Sequence, residues 1–189
     1  MKTVGVLALQ GDFQEHFDIL AKLGAAAMPV KLPEDLDQID RLIIPGGEST
    51  TIGKLLVTYK LLNPLRERIK KGMPVWGTCA GAILLAKRVA DGAKGQSRLA
   101  AMDIMARRNA FGRQLQSFET SIEAPKVSKR TVPVFFIRAP VLESPGRNVR
   151  VLARHEGKIV AVQQDHMLAT CFHPELTQSL AFHNYFLSI

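Results

Sequence analysis

Only two cysteines, Cys79 and Cys171, occur in the 189 residues. They are too few for a disulfide framework and lack the paired spacing of a zinc site. No apolar run nears the roughly 20 residues that cross a bilayer. The longest candidates, such as Met1 to Leu9, soon meet Gln10, Asp12 and Glu15. The start also lacks the basic leader, apolar stretch and small-residue cleavage site of a secretory signal. A stapled scaffold and a membrane-spanning protein are therefore not expected, and the cysteine usage points to a soluble protein in a reducing, cytoplasmic setting. Acidic charge is scarce as well: 17 Asp and Glu against 25 Lys and Arg leave a net +8. That balance suits nucleic acid, an anionic substrate or an acidic partner surface, and charge alone does not choose among them. The basic pairs Lys70-Lys71, Arg107-Arg108 and Lys129-Arg130 are scattered with no aromatics between them. A solvated basic surface is expected rather than nucleic-acid binding.

What is present is the composition of a folded domain, 47% hydrophobic and 22% charged. A chain of this length buries roughly 70% of its unfolded surface. No linker, repeat or low-complexity tract divides it, so one domain over residues 1–189 is expected. Thr3 to Leu9 is a short β-branched run, as in a strand covered on both faces. Phe13, Phe17, Leu20 and Leu23 share one helical face, with Gly24 as a stop. Met28 to Lys31, Arg41 to Ile44 and Pro74 to Gly77 are predicted strands, and Leu61 to Lys71 a helix ending at Gly72. This alternation predicts βαβ units, a parallel sheet, and active loops at the C-terminal ends of its strands. From Ala101 the pattern changes to closely spaced strands at Leu115 to Ile122, Val132 to Ile137, Val149 to Ala153, Lys158 to Gln163 and Leu168 to Phe172, part of them antiparallel. A helix near Gln178 to Leu187 closes the chain, and Asp91 to Ser97 is predicted to be a loop.

The chemistry concentrates at Val75-Trp76-Gly77-Thr78-Cys79-Ala80-Gly81. A strand, a turn and a helix over Ala82 to Ala86 are predicted there, with glycines two before and two after the cysteine. This is a nucleophile elbow with sulfur in place of oxygen, in which bulk at either glycine would clash with neighbouring backbone. At a helix N-terminus free N–H groups favour thiolate, and the Ala80 amide is placed to meet an oxyanion. Both effects serve acyl transfer. The plainer alternative is that Cys79 is a small buried filler.

A general base is supplied by Phe172-His173-Pro174-Glu175, where proline holds a histidine and a carboxylate in a restricted turn. Glu175 is placed to bind one ring nitrogen of His173, leaving the other for the thiol proton. Taken singly, such a pair is more often a surface turn; joined to the elbow it gains weight. His16 and His183 are predicted at helix boundaries and His155 and His166 in turns, and none is assigned chemistry. A zinc set of Cys79, Cys171 and His173 has no CxxC pair, and a nucleophile must be free, so neither metal nor cofactor is expected.

Ile43 to Thr51 ends a strand in Gly46-Gly47 and a polar turn. Gly53-Lys54 nearby fails as a phosphate loop, because Glu48 and Leu55 stand where Gly and Ser or Thr are needed. The exposed amides instead suit the amide and carboxylate of a small substrate, with Gly47 as a second oxyanion donor. The alternative is a mere strand-to-helix turn capped by Ser49 or Thr50.

Six blocks, LALQGDFQEH (Leu7 to His16), PGGEST (Pro45 to Thr50), GTCAG (Gly77 to Gly81), RRNAFGRQ (Arg107 to Gln114), FIRAP (Phe136 to Pro140) and FHPELT (Phe172 to Thr177), run in order across nearly the whole chain. Together they resemble the glutaminase subunit of pyridoxal 5'-phosphate synthase, within the class I glutamine amidotransferases. The resemblance implies a three-layer, flavodoxin-like α/β domain with a central, mostly parallel sheet. It further implies hydrolysis of L-glutamine to L-glutamate and ammonia, which passes to a separate synthase subunit that makes pyridoxal 5'-phosphate from a pentose phosphate and a triose phosphate. By motif, Cys79 is the nucleophile and His173 with Glu175 completes the triad. Gly47, Glu48 and Ser49 match the glutamine-binding loop, joined by Arg108 and by Ile137 with Arg138, and Gln10 resembles a position that couples partner association to activity. Ala82, Asp12 and Cys171 depart from the family's pattern. None removes a catalytic group, and Asp12 and Ala82 bear on docking and packing. Two alternatives stand beside this reading: a glutaminase serving another ammonia acceptor, and a noncatalytic basic binding module.

Overall fold

A computed structural model describes residues 2–90, 92, 95–108 and 117–189 of the chain. Strand β1 (Thr3–Leu7) pairs in parallel with β2 (Ala26–Val30) and with β3 (Arg41–Ile44). Next to β3 lies β4 (Val75–Thr78), and next to β4 lies β12 (Met167–Thr170), again in parallel. β3, β4 and β12 are buried at every position, which is why they read as continuous apolar runs rather than alternating ones.

Beyond β12 the sheet turns antiparallel through β11 (Lys158–Gln164), β9 (Val141–Glu143) and β6 (Met102–Arg107), with β10 (Arg150–His155) hairpinned onto β11. A short β5 (Ala86–Val89) closes the edge in parallel with β6. The sheet is thus mixed, with its parallel strands concentrated in the first half of the chain plus β12. A separate hairpin, β7 (Ser117–Ile122) with β8 (Val132–Ile137), stacks Phe118 on Phe136 at 4.9 Å.

Most elements fall where the hydrophobic spacing places them, and the departures have local causes. β1 stops at Leu7, two residues short of the expected end, as the chain turns towards Gln10 and Gly11. The helix after the elbow, α4 (Ala80–Leu85), begins at Ala80 rather than Ala82 and runs directly into β5, a strand the hydrophobic spacing does not announce. β6 is a further strand not expected from the spacing, although Met102, Ile104 and Ala106 alternate inwards with the period of a strand. A 3-10 turn over Pro33–Gln38 is equally unannounced; there Asp35 Oδ2 accepts from the amides of Lys31 and Leu32. Parts of three expectations lie outside the described residues: Asp91, Ala93 and Lys94 of the loop, Leu115 and Gln116 of one strand, and Asn109 to Gln114 of the RRNAFGRQ block.

Helix placement stems from the pleat. Successive strand residues face opposite sides. Trp76 and Thr78 of β4 face α1 (Phe13–Lys22) and α5 (Ala181–Ser188): Thr78 lies against His16, and the Trp76 ring is 4.8 Å from that of His183. Gly77, one step along, faces the Gly81 backbone of α4, so α4 lies on the other side, with α2 (Ser49–Thr58) and then α3 (Leu62–Lys70) packed beside it. On the α1 and α5 side, Phe182 packs its ring 5.0 Å from Phe172 and 6.4 Å from Trp76, with no solvent exposure. Replacing Phe182 with Ala should cost about 3–5 kcal/mol in a urea unfolding measurement; a loss under about 1 kcal/mol would show that the closing helix is dispensable to this core.

Candidate active site

At the end of β4 the chain turns sharply into α4, and the residue at the turn, Cys79, has φ 47 and ψ −101. Such backbone costs a non-glycine residue about 1–3 kcal/mol and persists only when its surroundings impose it. Here they do. The Cys79 amide donates to the Thr170 carbonyl at 2.8 Å, pinning the turn to the end of the neighbouring strand. A Cβ at Gly77 would meet the Gly81 backbone and lie 2.7 Å from the Ala82 nitrogen, while one at Gly81 would strike the Ile44 carbonyl. Only bare backbone lets strand, turn and helix approach this closely. Ala80 opens α4, so its N–H has no acceptor within the helix. Because α4 has only six residues, that local amide matters more than a long macrodipole.

His173 arrives from the end of β12. Its backbone N–H donates to the Phe135 carbonyl of β8 at 2.7 Å, and its Nδ1 is 2.7 Å from Glu175 Oε1. Pro174 starts the one-turn 3-10 segment that carries Glu175 back under the ring. Burial works against a charge on His173, but its interactions with the Cys79 sulfur and the Glu175 carboxylate outweigh burial and push it up to about 10. Glu175 is raised from the usual carboxylate range, first by burial, with the His173 bond opposing. A second carboxylate, Asp12 Oδ2, stands 3.4 Å from the same Nδ1. Donor atoms of Asp12, His173 and Glu175 lie within 4.8 Å of one another, a spacing compatible with a cation. Since Nδ1 is already bonded to Glu175, the chemistry at hand is that of an imidazolium between carboxylates. Gly46 makes room for it: a Cβ there would run into the imidazole, 2.9 Å from Nδ1.

A cavity of about 420 Å³ joins these parts. Cys79, Ala80 and His173 form one wall and Gly47, Glu48 and Ser49 another, while Arg108, Ile137 and Arg138 come from the ends of β6 and β8. Gln10 and Asp12 line it from the first strand's loop. Every candidate site residue named from the sequence borders this space except Glu175, which is buried behind His173.

The individual tasks are more specific than the motifs tell. Neither Ser49 nor Thr50 caps α2. Glu48 does, its carboxylate accepting from the amides of Thr50 and Thr51 and from both hydroxyls, with Arg108 Nη2 at 3.3 Å. Burial alone would raise Glu48, yet those hydrogen bonds bring it down to about 2. Ser49 is buried and its Oγ accepts from Gln96 at 3.1 Å. Gln10 reaches across to the glycine loop, its Oε1 accepting the Glu48 amide at 2.8 Å. The Ile137 carbonyl lies 3.9 Å from Cys79 Sγ, next to Arg138 at φ 42.

Other expectations need correction. His16 and His183 are not boundary residues: both are fully buried and bonded to each other. His155 ends β10 rather than standing in a turn and stacks near Phe136 at 5.5 Å, while His166 lies in a turn as expected and bonds the Ile69 carbonyl at 2.9 Å. Cys171 is a buried free thiol, raised well above its usual range by burial and then by Cys79, in keeping with a packing role. Asp12, expected to bear on docking or packing, stands beside His173, and no signal in the sequence points to that contact.

The pattern of the SNO glutamine amidotransferase family matches residues 6–189. The chain is 58% identical over 188 residues to the pyridoxal 5'-phosphate synthase subunit PdxT of Roseiflexus sp. (strain RS-1), covering 99% of this chain and 100% of that one. It is 56% identical over 189 residues to the protein of the same name from Herpetosiphon aurantiacus, with 99% and 100% covered. A crystal structure of a glutamine amidotransferase superposes with a TM-score of 0.93 at 47% identity, covering 98% of this chain and 97% of the other.

His173 gives a pH signature. A group that binds its proton more tightly when folded stabilises the fold fully below its unfolded pKa, and that stability disappears as pH rises through the folded value. With about 10 folded against 6.5 unfolded, the stability difference between the native chain and His173→Gln should shrink between about pH 6.5 and 10, as read by urea melts. A difference that grows with pH over that window would refute the ion pair.

Proposed function

The chain belongs to the SNO glutamine amidotransferase family, and on that premise we propose that it is the glutaminase subunit of a pyridoxal 5'-phosphate synthase, hydrolysing L-glutamine to L-glutamate and ammonia for a separate synthase subunit. The observation that carries this reading is the single cavity in which an elbow cysteine, a carboxylate-bound histidine and a glycine loop face one another.

The geometry supports a two-step acyl transfer. Cys79 gives its proton to His173, and its sulfur attacks the side-chain amide carbon of glutamine. The amides of Gly47 and Ala80 receive the oxyanion. His173, with Glu175 stabilising its charged form, protonates the departing ammonia, then takes a proton from water, which attacks the thioester and releases glutamate. Arg138, exposed at the end of β8, offers positive charge to the substrate carboxylate. Arg108 and Glu48, already paired, fix the loop that holds the substrate. Glu48 acts here mainly through the backbone it caps.

Ammonia released into bulk water is soon protonated and lost as a nucleophile, so the hydrolysis serves an acceptor docked on the same molecule. Gln10 is suited to couple docking to chemistry: it lines the cavity and holds the amide next to Gly47. No helix among the described residues is long and apolar enough to cross a membrane. Two free thiols, one of them the nucleophile, suit a reducing cytoplasm.

Replacing Cys79 with Ala should lower glutamine hydrolysis by at least about 10³-fold while leaving the fold and synthase binding intact; retained ammonia release would refute the assignment. With the synthase present the wild-type rate should rise, and Gln10→Ala should lose a larger share of that stimulation than of its unassisted rate. Equal rates with and without synthase would count against coupling.

A further inference from the structure

Behind the Cys79, His173 and Glu175 row lies a polar group that the mechanism does not use. His16 of α1 and His183 of α5 are fully buried, with His16 Nδ1 2.9 Å from His183 Nε2. The other ring nitrogen of His16, Nε2, is 3.6 Å from Glu175 Oε2 and 3.5 Å from Thr78 Oγ1. Glu175 Oε2 is a buried oxygen with no hydrogen-bond partner, the opposite oxygen being the one that holds His173. The His16 and His183 rings are boxed in by Trp76, at 5.8 and 4.8 Å.

The bonding order is decided by what each tautomer leaves behind. If His16 carried its proton on Nδ1, it would donate to His183, the His183 Nδ1 would be a buried N–H with no acceptor, and the bare Nε2 lone pair would face the Glu175 carboxylate. If His183 donates from Nε2 instead, His16 Nδ1 accepts and its Nε2–H lies between Thr78 Oγ1 at 3.5 Å and Glu175 Oε2 at 3.6 Å. What is then left over is an unprotonated His183 Nδ1, the orphan atom the structure shows. A buried orphan acceptor costs less than a buried orphan donor, and the repulsive lone pair is removed.

We propose that His16 is a positioning residue for the catalytic pair: held in its Nε2–H tautomer by His183, it presents a buried N–H to the far oxygen of Glu175 and keeps that carboxylate ionised and turned towards His173. Burial, then the nearby His183 and His173, hold His16 well below its usual pKa, and burial holds His183 down to about 3, so both rings act as neutral dipoles. The titratable groups facing Glu175 and His16 are Asp12 and His16 from the α1 side, Cys79 from the elbow, His173 from the end of β12 and His183 from α5. Of these only Asp12 adds to burial in raising Glu175, and His16 Nε2 stands 3.6 Å from its far oxygen. Without that donor the buried carboxylate takes up a proton more readily and ceases to support the imidazolium.

The inference rests on the glutaminase function proposed for the chain, and the test separates the two. In the complex with the synthase subunit, His16→Leu should lower kcat about tenfold with KM little changed. It should also move the acid limb of the kcat/KM profile to higher pH by about one unit. His16→Gln, which keeps an N–H donor, should recover most of the rate and return the limb towards its original position. Equal behaviour of the two variants, or an acid limb that does not move, would overturn the proposal. Nitrogen-15 NMR of the wild-type histidines provides a measurement independent of folding in the variants and of glutaminase activity. Protonation of His16 on Nε2 supports the arrangement, and protonation on Nδ1 overturns it. Wild type inactive on glutamine, with His16 protonated on Nε2, would reject the functional reading and leave the buried relay standing.

Discussion

Strands β4 and β12 lie side by side with Thr78 opposite Thr170, and the amide of Cys79 closes that ladder by donating to the Thr170 carbonyl at 2.8 Å. Trp76 repeats the join in its side chain, its indole N–H reaching Thr170 Oγ1 at 3.1 Å across 94 positions of sequence. Parallel pairing in register brings both strands to their ends at the same level. One therefore delivers a cysteine and the other a histidine to the same rim of the sheet. If this pairing slipped by one residue, the pleat would turn each side chain to the opposite face and the site would not form.

The elements around that ladder divide the labour. On one side the α4 turn supplies the sulfur and a free amide. On the other, α1 and α5 enclose Trp76, His16 and His183, a polar seam in an apolar layer. Each buried polar group needs a partner at low dielectric, and here Trp76 bonds Thr170, His16 bonds His183, and His16 Nε2 stands 3.6 Å from Glu175. β8 holds the loop after β12 in place through the Phe135 and His173 bridge, and its own end carries Ile137 and Arg138 to the cavity. The hairpin, outside the main sheet, thus shapes the cavity wall opposite the glycine loop.

Some of the backbone strain lies where these elements meet. Cys79 and Arg138 both have positive φ, and both line the cavity. Gly46 leaves the gap into which the His173 ring fits, and Gln10 ties the glycine loop to the loop after β1. Asp12, at the cavity mouth, adds a carboxylate to the histidine, so this chain surrounds one imidazole with two acids where the motif announces one.

The sequence by itself determined the parallel core, since runs such as Arg41–Ile44 and Val75–Thr78 lack the alternation of a one-sided strand. It determined the elbow too, because only glycine at 77 and 81 permits the approach, and it paired His173 with Glu175, because proline between them limits the turn. These are local constraints, written in neighbouring residues. β5 escapes notice because the exposed Lys87 and Arg88 break its apolar run, and the 3-10 turn at Pro33–Gln38 because its mostly polar residues show no apolar face. The tertiary structure alone decided that Glu48 caps a helix rather than standing free, that Asp12 reaches His173, and that His16 and His183, one on each of two helices far apart in the chain, meet beneath Glu175. A histidine on a helix has the same local pattern whether it faces water or a buried carboxylate, and only the packing of the two helices against β4 tells which.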